Sequence, residues 1–133
     1  PSAGLRAAVR RFLQRRRAIG TRVEVVGPTY LELAVHARVR ALAGQNPQRV
    51  QQAIVSALNQ FLDPLRGGPD GTGWPFGRDV YRAEILQAVD EVAGVDHVVQ
   101  LELIPAGCTA RCGNVRLEPT WLATPGAHRI EVQ

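Results

Sequence analysis

The chain has 133 residues, of which 45% are apolar, and its 16 basic and 12 acidic residues leave a net charge of +4 and a pI near 10.0. This length fits one domain with a modest core. No run approaches the ~18 apolar residues of a membrane span or resembles a signal peptide. The basic balance permits a nucleic acid, an acidic protein or a membrane surface as partner and selects none of them. Because the chain has no Met, we expect a processed product or, preferably, a piece of a longer protein.

Residues 3–18 predict a helix, and we assign 1–20 as an N-terminal linking helix that ends at Gly20. Its apolar positions follow helical spacing and form one stripe: Leu5, Ala8, Val9, Phe12 and Leu13. Arginines cover the rest of the helix, and five of them are candidate interface residues: Arg10, Arg11, Arg15, Arg16 and Arg17. A run of this kind is more often a solvated helix end than a binding site.

The stretch 21–42 alternates as strands do, with Val23 and Val25 on one face before a break at Gly27-Pro28. After the break one face of a long strand is apolar and the other polar, which predicts a sheet covered on one side. The apolar face carries Leu31, Leu33, Val35, Ala37 and Val39, and the polar face carries Glu32, His36, Arg38 and Arg40.

Two central helices are predicted next. The first has Asn46 as N-cap and Pro47 in its first position, and Pro64 ends it. Its buried stripe is Val50, Ala53, Ile54, Ala57, Leu58, Phe61 and Leu62. The second helix is predicted to be capped by Asp79 and to run to about Val92.

Short strands complete the chain: "VDHVVQLELI", with Val99, Leu101 and Leu103 on one face, then "NVRLE" and "HRIEV", joined through "PTWLATPGA". The predicted fold class is therefore α+β: a small mixed sheet with two central helices packed on one face, preceded by the N-terminal helix. Residues 21–133 are assigned to this domain.

The glycine-rich stretch between the two central helices, "FLDPLRGGPDGTGWPFGRDVY", raises the question of phosphate binding. A phosphate loop needs a preceding strand and a following Lys, and here a helix precedes and the chain has no Lys. "PDG" instead predicts a tight turn. We expect Trp74 and Phe76 to form an aromatic plug, either over the helix ends or against a neighbouring subunit, and Gly77 to turn the chain into the second helix.

A longer segment, "FLDPLRGGPDGTGWPFGRDVYRAEILQAVDEVAGVDHVVQLEL", resembles the C-terminal region of the baseplate J-like family, the baseplate assembly proteins of contractile phage tails and phage-tail-like injection systems. The segments "RRRAIGTRVEVVGPTYLELAVHARV" and "VRLEPTWLATPGAHRIEV" resemble the same family, so the resemblance covers nearly the whole chain. Its central motif comprises the helix ending "FLDPL", then "GG", "GW-FGR-V" and "GVDHV". The motif residues are Pro64, Gly67, Gly68, Gly73, Trp74, Phe76, Gly77, Arg78 and Tyr81.

The resemblance implies a structural wedge subunit without catalysis or cofactor. Its implied partners are other wedge subunits, neighbouring copies in a six-fold ring, the central hub or spike, and sheath proteins, with no nucleic acid and no membrane insertion. It also implies assembly in the bacterial cytoplasm, in a particle that stays there or is released. The loop "PAGCTARCGN" departs from the family pattern, so no role is carried over to its cysteines.

The two cysteines, Cys108 and Cys112, are too few for a disulfide framework. A zinc site needs four ligands, and His36, His97 and His128 are dispersed along the chain. We therefore expect free thiols or a local disulfide, and no metal.

Other function classes have weaker support. A basic nucleic-acid-binding α+β domain is the alternative, motivated by the pI and the arginine-rich first helix, although we find no base-reading module. No residue set indicates an enzyme: Glu84 and Asp90 lie six positions apart on one helix, and Ser2 and Ser56 suggest no triad.

Overall fold

The computed structural model describes residues 1–108 and 113–133 and confirms the α+β class. A helix, α1 (Ala3–Gln14), precedes the strand β1 (Thr29–Ala41) and two helices, α2 (Pro47–Phe61) and α3 (Arg82–Asp90). Three strands follow: β2 (Val95–Pro105), β3 (Trp121–Pro125) and β4 (Arg129–Val132). Strand β1 pairs antiparallel with β2 on one side and parallel with both β3 and β4 on the other, so the sheet is mixed.

The core lies between one face of this sheet and the helices α2 and α3. The predicted apolar face of β1 is buried from Leu33 to Val39, whereas Leu31 is only half-buried. Asn46 caps α2 as predicted, because its side-chain oxygen accepts the N–H groups of Gln48 and Arg49. Within the predicted stripe of α2, Val50, Ile54, Leu58 and Leu62 are buried, and Ala53 is exposed.

Several sequence-based predictions of local structure were wrong. The N-terminal helix ends at Gln14 and not at Gly20, so Arg15, Arg16 and Arg17 follow the helix. Residues 21–28, including Val23 and Val25, form no strand, although their pattern alternates. The stretch "NVRLE" contributes only an isolated bridge from Val115 to Val80, and the predicted linker contains β3. In β2, Val99 is exposed, although it was predicted to share a face with Leu101 and Leu103. The register with β1 shifts between Arg38 and Val39, so that Val98 lies opposite Val39 and Val99 is turned away from the core.

The start of α3 is a further correction. Asp79 does not cap this helix, because its side-chain oxygen accepts the N–H of Leu117 at 3.0 Å. The helix begins at Arg82, whose N–H donates to the side-chain oxygen of Asn114 at 3.0 Å. A residue 32 positions away therefore supplies the acceptor that a local cap would supply.

Strands β3 and β4 lie end to end along the same edge of β1, and a single imidazole bridges the break between them. Gly126 donates its N–H to the carbonyl of Leu33, and the Nδ1 atom of His128 accepts the N–H of Val35 at 3.0 Å. The ring is therefore neutral, with its proton on Nε2, which is buried without a partner in the described residues. Burial, and secondarily the charge of His36, lowers the pKa of His128 below its ordinary value of 6.5.

This arrangement predicts a loss of stability in mild acid. The unfolded chain binds a proton at His128 more readily than the folded chain, so the contribution of His128 is complete above pH 6.5 and is lost as the pH falls through the lower, folded-state pKa. In His128→Asn the side-chain oxygen can accept from Val35 without titrating. Urea denaturation between about pH 7.5 and 5.5 should show a steeper decline of the unfolding free energy for the parent chain. Equal slopes for the two chains would contradict the assignment.

Candidate protein interface

The glycine-rich stretch forms a loop closed by its own backbone, here called the glycine loop (residues 63–78). The Asp63 carboxylate accepts the N–H groups of Leu65 and Arg66 at 2.7 and 2.8 Å, which turns the chain directly after α2. The two sides of the loop are then joined, because Trp74 donates its N–H to the carbonyl of Pro64 at 3.1 Å. The loop is thus a fixed structure.

Two glycines of the loop lie where a side chain has no room. A Cβ atom on Gly67 would lie 2.3 Å from the carbonyl oxygen of Phe61 and within 2.7 Å of two further carbonyl oxygens. Gly77 has a φ of +66°, and its Cβ would lie 2.8 Å from the Cα of Pro119. The first glycine packs the loop onto the end of α2, and the second packs it beside β3.

Three backbone N–H groups of the glycine loop already have acceptors within the loop or at the end of α2. Gly67 donates to Asp63, Gly68 to Phe61 and Gly73 to Gly67, all through backbone carbonyls at 2.7 to 2.9 Å. A phosphate-binding loop presents its amides outward to the ligand. These N–H groups support the prediction of a turn rather than a phosphate site.

The two aromatic residues of the predicted plug differ in exposure. Trp74 is buried, packs edge-to-face on Phe61 of α2 at 5.8 Å between ring centroids, and donates its indole N–H to the carbonyl of Arg78 at 2.9 Å. Phe76, two residues later, is 62% exposed. Trp74 therefore covers the helix end within its own chain, and only Phe76 remains free for a neighbour.

Arg78 joins the loop to α3. Its guanidinium forms two parallel hydrogen bonds to the Glu84 carboxylate, at 2.6 and 2.9 Å, and lies over the rings of Trp74 and Tyr81. The hydrogen bond to Glu84 raises the pKa of Arg78 above its ordinary value. Tyr81 is 43% exposed and Leu65 is 79% exposed, so large apolar groups lie on the outer surface beside this hydrogen-bonded frame.

The second candidate set lies on α1 and in the residues directly after it, and all of these residues are exposed. Arg16 stacks on Phe12 at 3.8 Å and donates to its carbonyl, and Arg17 donates to the carbonyl of Thr21 at 2.6 Å. Arg10 and Arg17 also border a surface groove with Arg22. Arg11 and Arg15 line a second one with Phe12. The chain therefore has two candidate surfaces, the glycine loop and α1, which are far apart in sequence.

The remaining sequence predictions concern metals, thiols and membranes. Among residues 1–108 and 113–133, no three His, Cys, Asp or Glu side chains cluster as metal ligands would. Cys108 is half-buried, and Cys112 lies outside the described residues. None of the described helices combines the length and apolar character that crossing a bilayer requires.

Comparison with known proteins adds no further assignment. No protein-family model matches the chain, and no curated protein matches it either.

Proposed function

We propose that this chain is a structural component of the baseplate wedge of a contractile injection system, where it contacts neighbouring subunits around a central hub. The sequence resemblance to baseplate J-like proteins centres on the glycine loop. The observation that carries the proposal is the difference between the two aromatic residues of that loop. Trp74 is buried and packs on Phe61 of its own domain, whereas Phe76 is exposed to solvent.

This geometry suits assembly. A rigid loop pays little conformational entropy when its outer aromatic groups are covered, and Phe, Tyr and Arg are enriched in protein interfaces. Leu65, Phe76 and Tyr81 offer such groups on a frame held by Arg78 and Glu84. The N-terminal helix supplies a second, basic surface at a distance in sequence from the loop.

The test is to tag the protein in its native cells, purify it gently and image the material by electron microscopy. We expect sheathed, tail-like particles with the tag at one end. Cells that carry the Phe76→Ala variant serve as the matched comparison. In these cells we expect a smaller fraction of the particles to carry the tag than in cells with the parent chain. A tagged protein that never enters a particle would overturn the proposal.

A nucleic-acid-binding domain is the second candidate, favoured by the composition of α1 and its following segment. Residues 1–23 contain seven arginines and no acidic residue. Contacts to phosphates release counterions, so the logarithm of the affinity for duplex DNA would fall by about 0.9 per contact for each tenfold rise in salt. A double variant, Arg10→Gln with Arg17→Gln, should flatten that slope; a slope near zero for the parent chain would reject this candidate.

A further inference from the structure

No residue of α1 is buried against the described part of the chain. The helix has 12 residues, and isolated helices of this length are marginal in water. Like charges four residues apart, as at Arg6 and Arg10 or Arg11 and Arg15, destabilise it further. Its apolar stripe stays open to solvent, with Leu5 and Phe12 each 56% exposed. A contact outside its own copy would both cover the stripe and neutralise the arginines.

The charge of α1 restricts what can cover it. Pairing two α1 helices through their apolar stripes would leave the arginines unpaired, because the helix has no carboxylate. A surface that combines an apolar floor with acidic side chains would complement both features of α1. Such a surface is therefore favoured over a second α1 as the partner element.

The same chain carries a groove of that description between the glycine loop and α3, here called the acidic groove. It has a volume of about 290 Å³ and is lined by Phe61, Gly68 and Pro69 on one side and by Glu84, Ala88 and Glu91 on the other. Glu84 is held by Arg78, whereas the exposed Glu91 is bonded only to the neutral side chain of Gln87 among the described residues. Glu91 therefore supplies the groove with a carboxylate that no arginine of the described residues holds.

We infer that α1 of one copy docks into the acidic groove of the next copy, with Phe12 against the apolar floor and an arginine facing Glu91. The inference rests on the proposed function, because subunits that meet around a hub need such a contact. Since the helix and the groove are different surfaces, the contact is head-to-tail and closes into a ring or extends as a chain of subunits.

The test uses two variants that each disable one surface. Phe12→Asp removes the apolar contact of the helix, and Glu91→Arg reverses the charge of the groove. The parent chain should self-associate with rising concentration in analytical ultracentrifugation, more weakly at high salt, and Glu91→Arg should weaken association about tenfold or more. At a concentration where the parent chain associates, each variant alone should be mainly monomeric. An equimolar mixture should form a dimer and nothing larger, through the one intact helix and the one intact groove.

Glu131→Arg is the matched control, because it makes the same charge change on the open face of the sheet, away from α2 and α3. It should associate like the parent chain, and circular dichroism should show the same fold for all variants. A parent chain that stays monomeric to about 100 μM, well above the range of specific subunit contacts, would overturn the inference. Association unchanged by Glu91→Arg would overturn it equally.

The two experiments distinguish a failure of this inference from a failure of the proposed function. A monomeric chain that is nevertheless found in sheathed particles would refute the helix-and-groove contact and leave the wedge assignment intact. A chain that associates head-to-tail but never enters a particle would refute the wedge assignment and retain the contact.

Discussion

Trp74→Ala should lower the free energy of unfolding by about 3–5 kcal/mol, whereas Phe76→Ala, two residues away, should leave it within about 0.5 kcal/mol of the parent value. Trp74 is 3% exposed and Phe76 62%. Removing the indole opens a cavity against Phe61 and leaves the Arg78 carbonyl without its donor. Removing the Phe76 ring takes away a group that the domain leaves in water.

Urea denaturation followed by circular dichroism measures both effects, because fluorescence would change with the loss of Trp74 itself. Phe76→Ala then provides a folded protein in which only the outer surface of the loop has changed. Incorporation of that variant into particles should fall while its stability does not. Equal stability losses in the two variants would show that the loop is packed differently from the arrangement described.

The elements that sequence reasoning predicted correctly are those with a local cause. Asn46 caps α2 with its own side chain, and Pro47 occupies the first turn, where a missing N–H costs nothing. The alternation of β1 from Leu33 to Val39 corresponds to one buried face. In each case the residues that decide the structure lie within one turn or one strand.

The elements that were predicted wrongly depend on distant partners. Asp79 is a residue type that often caps helices, but its carboxylate accepts the N–H of Leu117 instead. The N–H of Arg82 at the start of α3 donates to Asn114, which lies 32 positions later in the chain. The exposure of Val99 follows from an irregular register with β1, which no pattern within β2 encodes. Strand β3 ends at Pro125, a residue that sheets tolerate at an edge, and this proline concealed the strand.

For the candidate site, the sequence predicted that the glycine loop turns a corner and carries an aromatic plug. It could not distinguish the inner aromatic residue from the outer one, because Trp74 and Phe76 are both large, apolar and flanked by similar residues. That distinction arises from the hydrogen bonds between Trp74 and Pro64 and between Trp74 and Arg78. The acidic groove was also missed, since its two sides come from Phe61 to Pro69 and from α3.

Gly67→Ala should be the other strongly destabilising change, with a loss of about 3 kcal/mol in the free energy of unfolding. The added methyl group would lie 2.3 to 2.7 Å from the carbonyl oxygens of Phe61, Gln60 and Asp63. Two of these belong to the last turn of α2, so the helix end and the loop must separate to admit it. That separation breaks the bond from Gly68 to Phe61 and uncovers Trp74.

Gly4→Ala is the matched control, because it adds the same methyl group where nothing lies within 4 Å. Alanine favours a helix over glycine by about 1 kcal/mol, so this variant should be neutral or slightly more helical. The midpoint of urea denaturation should fall only for Gly67→Ala. If the two variants unfolded at the same midpoint, the loop would have room for a side chain at Gly67. The packing of the loop on α2 would then not explain the glycine at this position of the motif "GG".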